Sequence, residues 1–261
     1  GRHAGESMTT GHSNTFIGYY AGYYETANYG NVAVGHVALQ GESTKVNSYN
    51  VALGYKAMTS ASGATSNVAI GWNSLPADNL IGDDNVAIGY QSGLAITTAA
   101  SNVMIGQNVY KAATTGNYNV VIGQEAAQTS TGMDNCVVIG RQAVGGGTAA
   151  GDNNVTIGYQ SAYSLTSAHS TTIVGYQAAY ELSSGLENTL IGYYAGRGVT
   201  TGDYNTAIGH SALYDGTNTN RSTALGYQSL YALNQSGDSY NTAAGMYSMR
   251  NIETGSANVN M

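Results

Sequence analysis

Asn205-Thr206-Ala207-Ile208-Gly209 is one copy of a five-residue block that recurs along the whole chain: Asn, a β-branched residue, a mostly small one, an aliphatic one and Gly. Its glycines fall at Gly18, Gly35, Gly54, Gly71, Gly89, Gly106, Gly123, Gly140, Gly158, Gly175, Gly192, Gly209, Gly226 and Gly245. Nine of the thirteen intervals are 17 residues and four are 18 or 19. A period this regular belongs to stacked units, none of which can bury its apolar face alone. Gly1 lies one period before Gly18, and Asn258-Val259-Asn260-Met261 reads as the same block one residue short of its glycine. The expectation is one repetitive β-roll domain over residues 1–261, about fifteen turns of about 17 residues, cut from a longer fibrous protein.

The columns of the repeat carry the physics. The residue four before each glycine is Asn in eleven of fourteen turns, as at Asn14, Asn31, Asn50, Asn67, Asn85 and Asn205, with Cys136, Thr171 and Ser222 as small polar stand-ins. Asn suits a corner, where it tolerates left-handed backbone and bonds to nearby main chain, and stacked Asn side chains can form a hydrogen-bonded ladder. The next residue is Val or Thr in every turn, and the residue before glycine is Ile, Val or Leu in all but one. These two columns share one face of an extended chain and are assigned to the core. The column between them, Ala in seven turns, faces the other way, so a second layer or chain is expected to cover it.

Beyond each glycine a second short strand is expected, with Ala or Ser third in thirteen of fourteen turns. The rest of each turn, such as Thr129-Ser130-Thr131-Gly132, is loop chemistry, and the longer intervals belong there. One turn thus reads as strand, corner, strand, loop, with strands of roughly four to five residues in parallel pairing. Stacked turns would make a rod of roughly 70 Å at about 4.8 Å each.

Composition narrows the function classes. Only 9% of residues are charged and the chain carries 36 Gly, 22 Tyr, one Phe and one Pro. The formal charge of −7, with eight Lys and Arg in all, argues against nucleic acid as a partner. No apolar segment is long enough to span a membrane as a helix. A thin core in each chain favours oligomerisation.

The block Asn-x-Ala-Ile-Gly-x-x-Ala, at Asn205 to Ala212, Asn50 to Ala57 and Asn31 to Ala38, and with Ser last at Asn85 to Ser92, resembles the head repeats of trimeric autotransporter adhesins of the YadA type. That resemblance implies a left-handed parallel β-roll of two strands per turn and a homotrimer around a threefold axis. It covers essentially the entire chain, although the family's turns are shorter. The Ile-Gly-Tyr-Gln-Ser and Ile-Gly-Tyr-Tyr-Ala segments also resemble repeat arrays of bacteriophage tail fibres, likewise trimeric. Both imply an extracellular location, on a cell surface or a virion tail, and a host or target surface glycan or protein as partner. A non-binding spacer and a single-chain β-helix are the alternatives.

Candidate chemistry is sparse. The tyrosines are the most functional-looking feature, because exposed aromatics offer a rigid apolar body with a polar tip. Tyr19, Tyr55, Trp72, Tyr90, Tyr159, Tyr176, Tyr193 and Tyr227 share the column after glycine, and Tyr20, Tyr24 and Tyr194 lie close by. They are the candidate binding surface, unless they ladder on one another or cover a subunit interface. Gly18, Gly35, Gly54, Gly71, Gly89 and Gly209, with the Asn column, are expected to shape the corners. No two of the five histidines sit at metal spacing in one turn, no phosphate-loop context surrounds Gly196-Arg197-Gly198, and Asp83, Asp84, Asp134, Asp152, Asp203 and Asp238 read as scattered. No catalysis, metal or cofactor is expected. An ice-binding face could be built from Thr172, Thr189, Thr206, Thr223 and Thr242, but that column is assigned to the core.

Overall fold

The computed structural model describes residues 1–41, 45–233, 237–252 and 255–261. It is a repetitive all-β parallel solenoid, with no helix among the described residues, and it divides into two compact units, Gly1–Gly132 and Met133–Met261. The first unit holds seven three-residue strands: β1 (Thr15–Ile17), β2 (Val32–Val34), β3 (Val51–Leu53), β4 (Val68–Ile70), β5 (Val86–Ile88), β6 (Val103–Ile105) and β7 (Val120–Ile122). They pair in parallel in chain order, each residue opposite its equivalent one turn on, as in Thr15 with Val32 and Ile70 with Ile88. The second unit holds β8 (Val137–Ile139), β9 (Val155–Ile157), β10 (Thr172–Val174), β11 (Thr189–Ile191), β12 (Thr206–Ile208), β14 (Thr223–Leu225), β16 (Thr242–Ala244) and β17 (Val259–Asn260), in the same register. Two short strands in its loops, β13 (Thr219–Asn220) and β15 (Gly237–Asp238), pair with each other.

The core lies on the opposite side of these strands from the one assigned above. In β2 to β11 the middle residue is buried while its two neighbours are half-buried, and Ile17, Ile208 and Leu225 are exposed outright. The Val/Thr and aliphatic columns therefore face outward, and the middle column, Ala in seven of fourteen turns, faces in. Size explains the inversion. The interior is closed by the segment four residues after each motif glycine, and the two columns share its volume. Where the strand offers Ala33, Ala52, Ala69, Ala207 or Ala224, the other side supplies Leu39, Met58, Leu75, Leu213 or Leu230, all fully buried. Where the strand offers Phe16 or Leu190, the other side is Gly22 or Gly196, and a Cβ on either glycine would collide with that larger side chain. Most pairs combine one large residue with one small, as native packing density requires; Met104 and Tyr110, both fully buried, are a pair of two large ones.

The second strand of each turn is replaced by a turn-rich segment. Two residues in it take left-handed backbone, for example Gln160 at φ 49° and Ala162 at φ 47°. Its amides still bond from turn to turn: Gln160 donates to the Arg141 carbonyl at 3.0 Å and Ala162 to the Ala178 carbonyl at 2.9 Å. A left-handed non-glycine residue costs about 1 kcal/mol or more, and such strain persists only where the surroundings over-determine it. The small third position is buried in every turn but the last, at Ser248, and Ser74 and Ser92 close the gap by donating to the Ala87 and Met104 carbonyls at 3.0 and 3.1 Å. At the motif glycines the corner is forced: Gly89 sits at φ 134°, and a Cβ there would run into the carbonyl of Gly106.

The Asn column forms the anticipated ladder but not the left-handed corner. The left-handed residue is the one before it, Tyr49 at φ 59° and Ser66 at φ 58° for example. Asn67 is fully buried; its Oδ1 accepts from the Asn85 amide at 2.9 Å, and its Nδ2 donates to the Gly82 carbonyl at 2.9 Å. Asn258 continues the column, its amide donating to Asn241 Oδ1 at 3.0 Å. Each rung adds about 1 kcal/mol for a satisfied hydrogen bond and avoids the larger penalty of an orphaned buried amide. The placement of the longer intervals in loops falls partly on residues 42–44 and 234–236, which lie outside the described residues.

Candidate binding surface

The column after the motif glycine builds one aromatic stack in each unit. In the first unit the ring centroids of Tyr19, His36, Tyr55, Trp72 and Tyr90 follow one another at 5.1, 5.3, 6.0 and 4.8 Å, with interplanar angles of 6° to 26°. In the second, Tyr159, Tyr176, Tyr193, His210 and Tyr227 follow at 5.2, 5.0, 4.9 and 5.0 Å. Parallel register dictates this, because equivalent residues of neighbouring turns lie about 4.8 Å apart, close to the stacking distance of flat rings. The laddering alternative is thus what the structure shows. Tyr19, Tyr55, Trp72, Tyr90, Tyr176, Tyr193 and Tyr227 are each 39% to 44% exposed and Tyr159 is half-buried. Since each inner face is covered by the next ring, what reaches solvent is ring edge and polar tip.

Tyr20 and Tyr194 occupy the next column, both left-handed and half-buried, and stand across the stacks. Tyr20 is edge-on to Tyr19 at 4.3 Å and stacked on His3 at 4.9 Å; Tyr194 is tilted against Tyr193 at 4.1 Å. The Tyr193 phenol is held above its usual pKa, chiefly by its hydrogen bond with Tyr194 and then by burial. Tyr24 is exposed and stands edge-on to Tyr23. In the same next column Gln160 donates to Gln142 at 2.9 Å and Gln177 to Gln160 at 2.7 Å, making an amide row beside the second unit's stack.

A further ladder escaped the sequence reading. Tyr163 and Tyr180 stack at 5.2 Å, Tyr214 and Tyr231 at 4.9 Å, and the Arg197 guanidinium lies between the pairs, 5.1 Å from Tyr180 and 5.8 Å from Tyr214. Arg250 caps it, 5.3 Å from Tyr231. All six lie five residues after a motif glycine, so a column search that treats Arg as a flat stacking group finds them. Arg221 likewise bridges Tyr204 and Tyr240, and Arg141 stacks on Tyr159 at 5.7 Å.

The acidic loop residues are also not scattered. Asp83, Asp134, Asp152 and Asp203 share the position six before a motif glycine. Asp83, Asp152 and Asp203 accept from the amides of Thr65, Asp134 and Leu186 at 2.6 to 2.9 Å. Asn117, His169 and Asn220 do the same for Ala100, Asp152 and Asp203. Asp83, Asp152 and Asp203 thus cap main-chain amides one turn away. Among the described residues no group of three or more His, Cys, Asp or Glu could hold a metal ion, and no helix is long and apolar enough to cross a membrane.

Two buried groups stand apart. Cys136 takes its place in the Asn column, accepting from the Asn154 amide at 3.4 Å, and burial pushes its thiol up to about 11. Glu25 is fully buried with Oε1 accepting from Asn47 Nδ2 at 2.9 Å and Oε2 unpartnered. Burial raises its carboxyl to about 8, against the lowering effect of Asn47.

No family model, curated protein or solved structure matches the chain.

Proposed function

We propose that this chain is a segment of a homotrimeric, left-handed β-roll fibre that acts outside the cell, on a bacterial surface or a phage tail, and holds repeated faces against a host or target surface. The observation that carries it is the outward pair in each turn, a Val or Thr and, in all but one, an Ile, Val or Leu. Each unit already has its core in the middle column, yet it presents an uncharged apolar stripe on the other side of the same strands. Soluble monomers rarely leave such a contiguous patch in water, and a second and third copy would cover it. The role is mechanical and multivalent, without catalysis: weak contacts repeated along three identical faces add as avidity.

One observation favours a second reading. Thr172, Thr189, Thr206, Thr223 and Thr242 lie in register on the outward face, each two residues from an aliphatic or Ala neighbour, so the objection that they face the core falls away. A monomer exposing that flat, rigid array could bind ice. Native mass by light scattering separates the two. Three times 26.9 kDa supports the fibre, whereas a folded monomer that separates the freezing and melting points of ice supports the other.

A further inference from the structure

We propose that the second unit's stack of Tyr159, Tyr176, Tyr193, His210 and Tyr227 is a docking strip for a linear, uncharged, β-linked polysaccharide, one sugar per turn. This names the ligand class for the surface-contacting fibre above and rests on that reading. Three observations converge on it. The strip repeats every 4.9 to 5.2 Å. It shows edges and hydroxyls rather than open ring faces, so it recognises a partner by hydrogen bonds spaced at that repeat. The amide row of Gln160 and its neighbours adds donors and acceptors along its flank.

The repeat selects the polymer. An extended peptide presents same-face side chains every ~6.7 Å, and would slip by a whole rung after about three turns. A β-linked glycan in its extended ribbon form advances one sugar over nearly the strip's own repeat and turns its hydroxyl rim outward. Charge selects against polyanions: the unit has four Arg, no Lys and eight Asp and Glu. All four Arg are stacked on tyrosine rings, and Arg197 and Arg221 are also paired with Glu181 and Asp238. A nucleic acid or sulfated chain would meet net repulsion.

The test titrates the full chain calorimetrically with cello-oligosaccharides of increasing length up to about six sugars, with α-linked malto-oligosaccharides as the control. Affinity is expected to climb with each sugar until the five rungs are filled and then level off, with no comparable rise for the α-linked series. Tyr176→Phe with Tyr193→Phe keeps the stack and removes two hydroxyls, and should weaken the longest ligand at least ~tenfold. Tyr163→Phe with Tyr180→Phe, in the neighbouring ladder, should leave it unchanged. Absent or length-independent binding, equal binding of both series, or an unaffected Tyr176/Tyr193 variant would overturn the proposal. Native mass on the same samples reads the fibre separately: a trimer that ignores the glycan sinks only the docking strip, and a monomer that binds it sinks only the trimer.

Discussion

At the scale of the residue, the fold is held by side chains that finish their neighbours' hydrogen bonds one turn away. Cys136 is the weakest rung, because a thiol is a poor donor and acceptor where Asn would make stronger bonds. Cys136→Asn is expected to stabilise the protein by about 1 kcal/mol, read as a higher denaturant midpoint at unchanged slope. Left in place, the buried thiol should resist alkylation at neutral pH until the chain unfolds. Glu25 gives a pH signature. Its carboxyl stays protonated in the fold up to about pH 8 and ionises near its ordinary value once unfolded, so unfolding releases a proton between those limits. Stability is therefore full below the ordinary carboxylate value and falls as pH rises toward 8. Glu25→Gln should flatten that dependence and exceed the parent by on the order of 2–4 kcal/mol above about pH 8, while matching it more closely near pH 4. A variant whose melting curve keeps the parent's pH slope would show that another group causes it. The Asn ladder was legible from the column alone, since a polar residue fixed at one place in every turn has few other uses. Glu25 was not, because a single carboxyl in a loop looks the same whether it is wet or buried.

At the scale of the turn, period, register and parallel pairing were all readable from glycine spacing. The direction of the core was not. Val and Ile look like core beside Ala, and that prior holds where a sheet packs on a sheet about 10 Å away. Here the strand meets a turn-rich segment at closer range, and the small column goes in. The clue was in the sequence as a pairing of sizes, Phe16 with Gly22 and Leu190 with Gly196 against Ala33 with Leu39 and Ala207 with Leu213. The second strand was mistaken because alternating left-handed residues such as Gln177 and Ala179 leave no trace in residue type. Whole turns should be interchangeable. Deleting residues 103–119 joins Asn102 to Val120 and restores an intact block, so a cooperative melt within a few degrees of the parent is expected. Deleting Met104 alone would swing the buried column of β6 to the surface and should abolish the folded signal of the first unit in circular dichroism.

At the scale of the whole molecule, the outward apolar face is what most needs a partner. Ile105→Glu tests both its direction and its use. Because the Ile105 side chain is half-buried and points away from the core, the substituted chain should still fold, while the proposed trimer should give way, its native mass falling from three copies toward one. Loss of folding would instead return that column to the interior. A trimer should also show a melting temperature that rises with protein concentration, as mass action requires. The aromatic stack of the first unit has a consequence in light. The chain's single tryptophan, Trp72, lies between Tyr55 and Tyr90, with its ring 6.0 and 4.8 Å from theirs. Energy absorbed by those phenols drains to the indole, so the tryptophan emission excited at tyrosine wavelengths, relative to that excited at the red edge where only the indole absorbs, should fall when that stack parts. The second unit has no indole, so a protein with two similar halves carries its tryptophan label on only one of them.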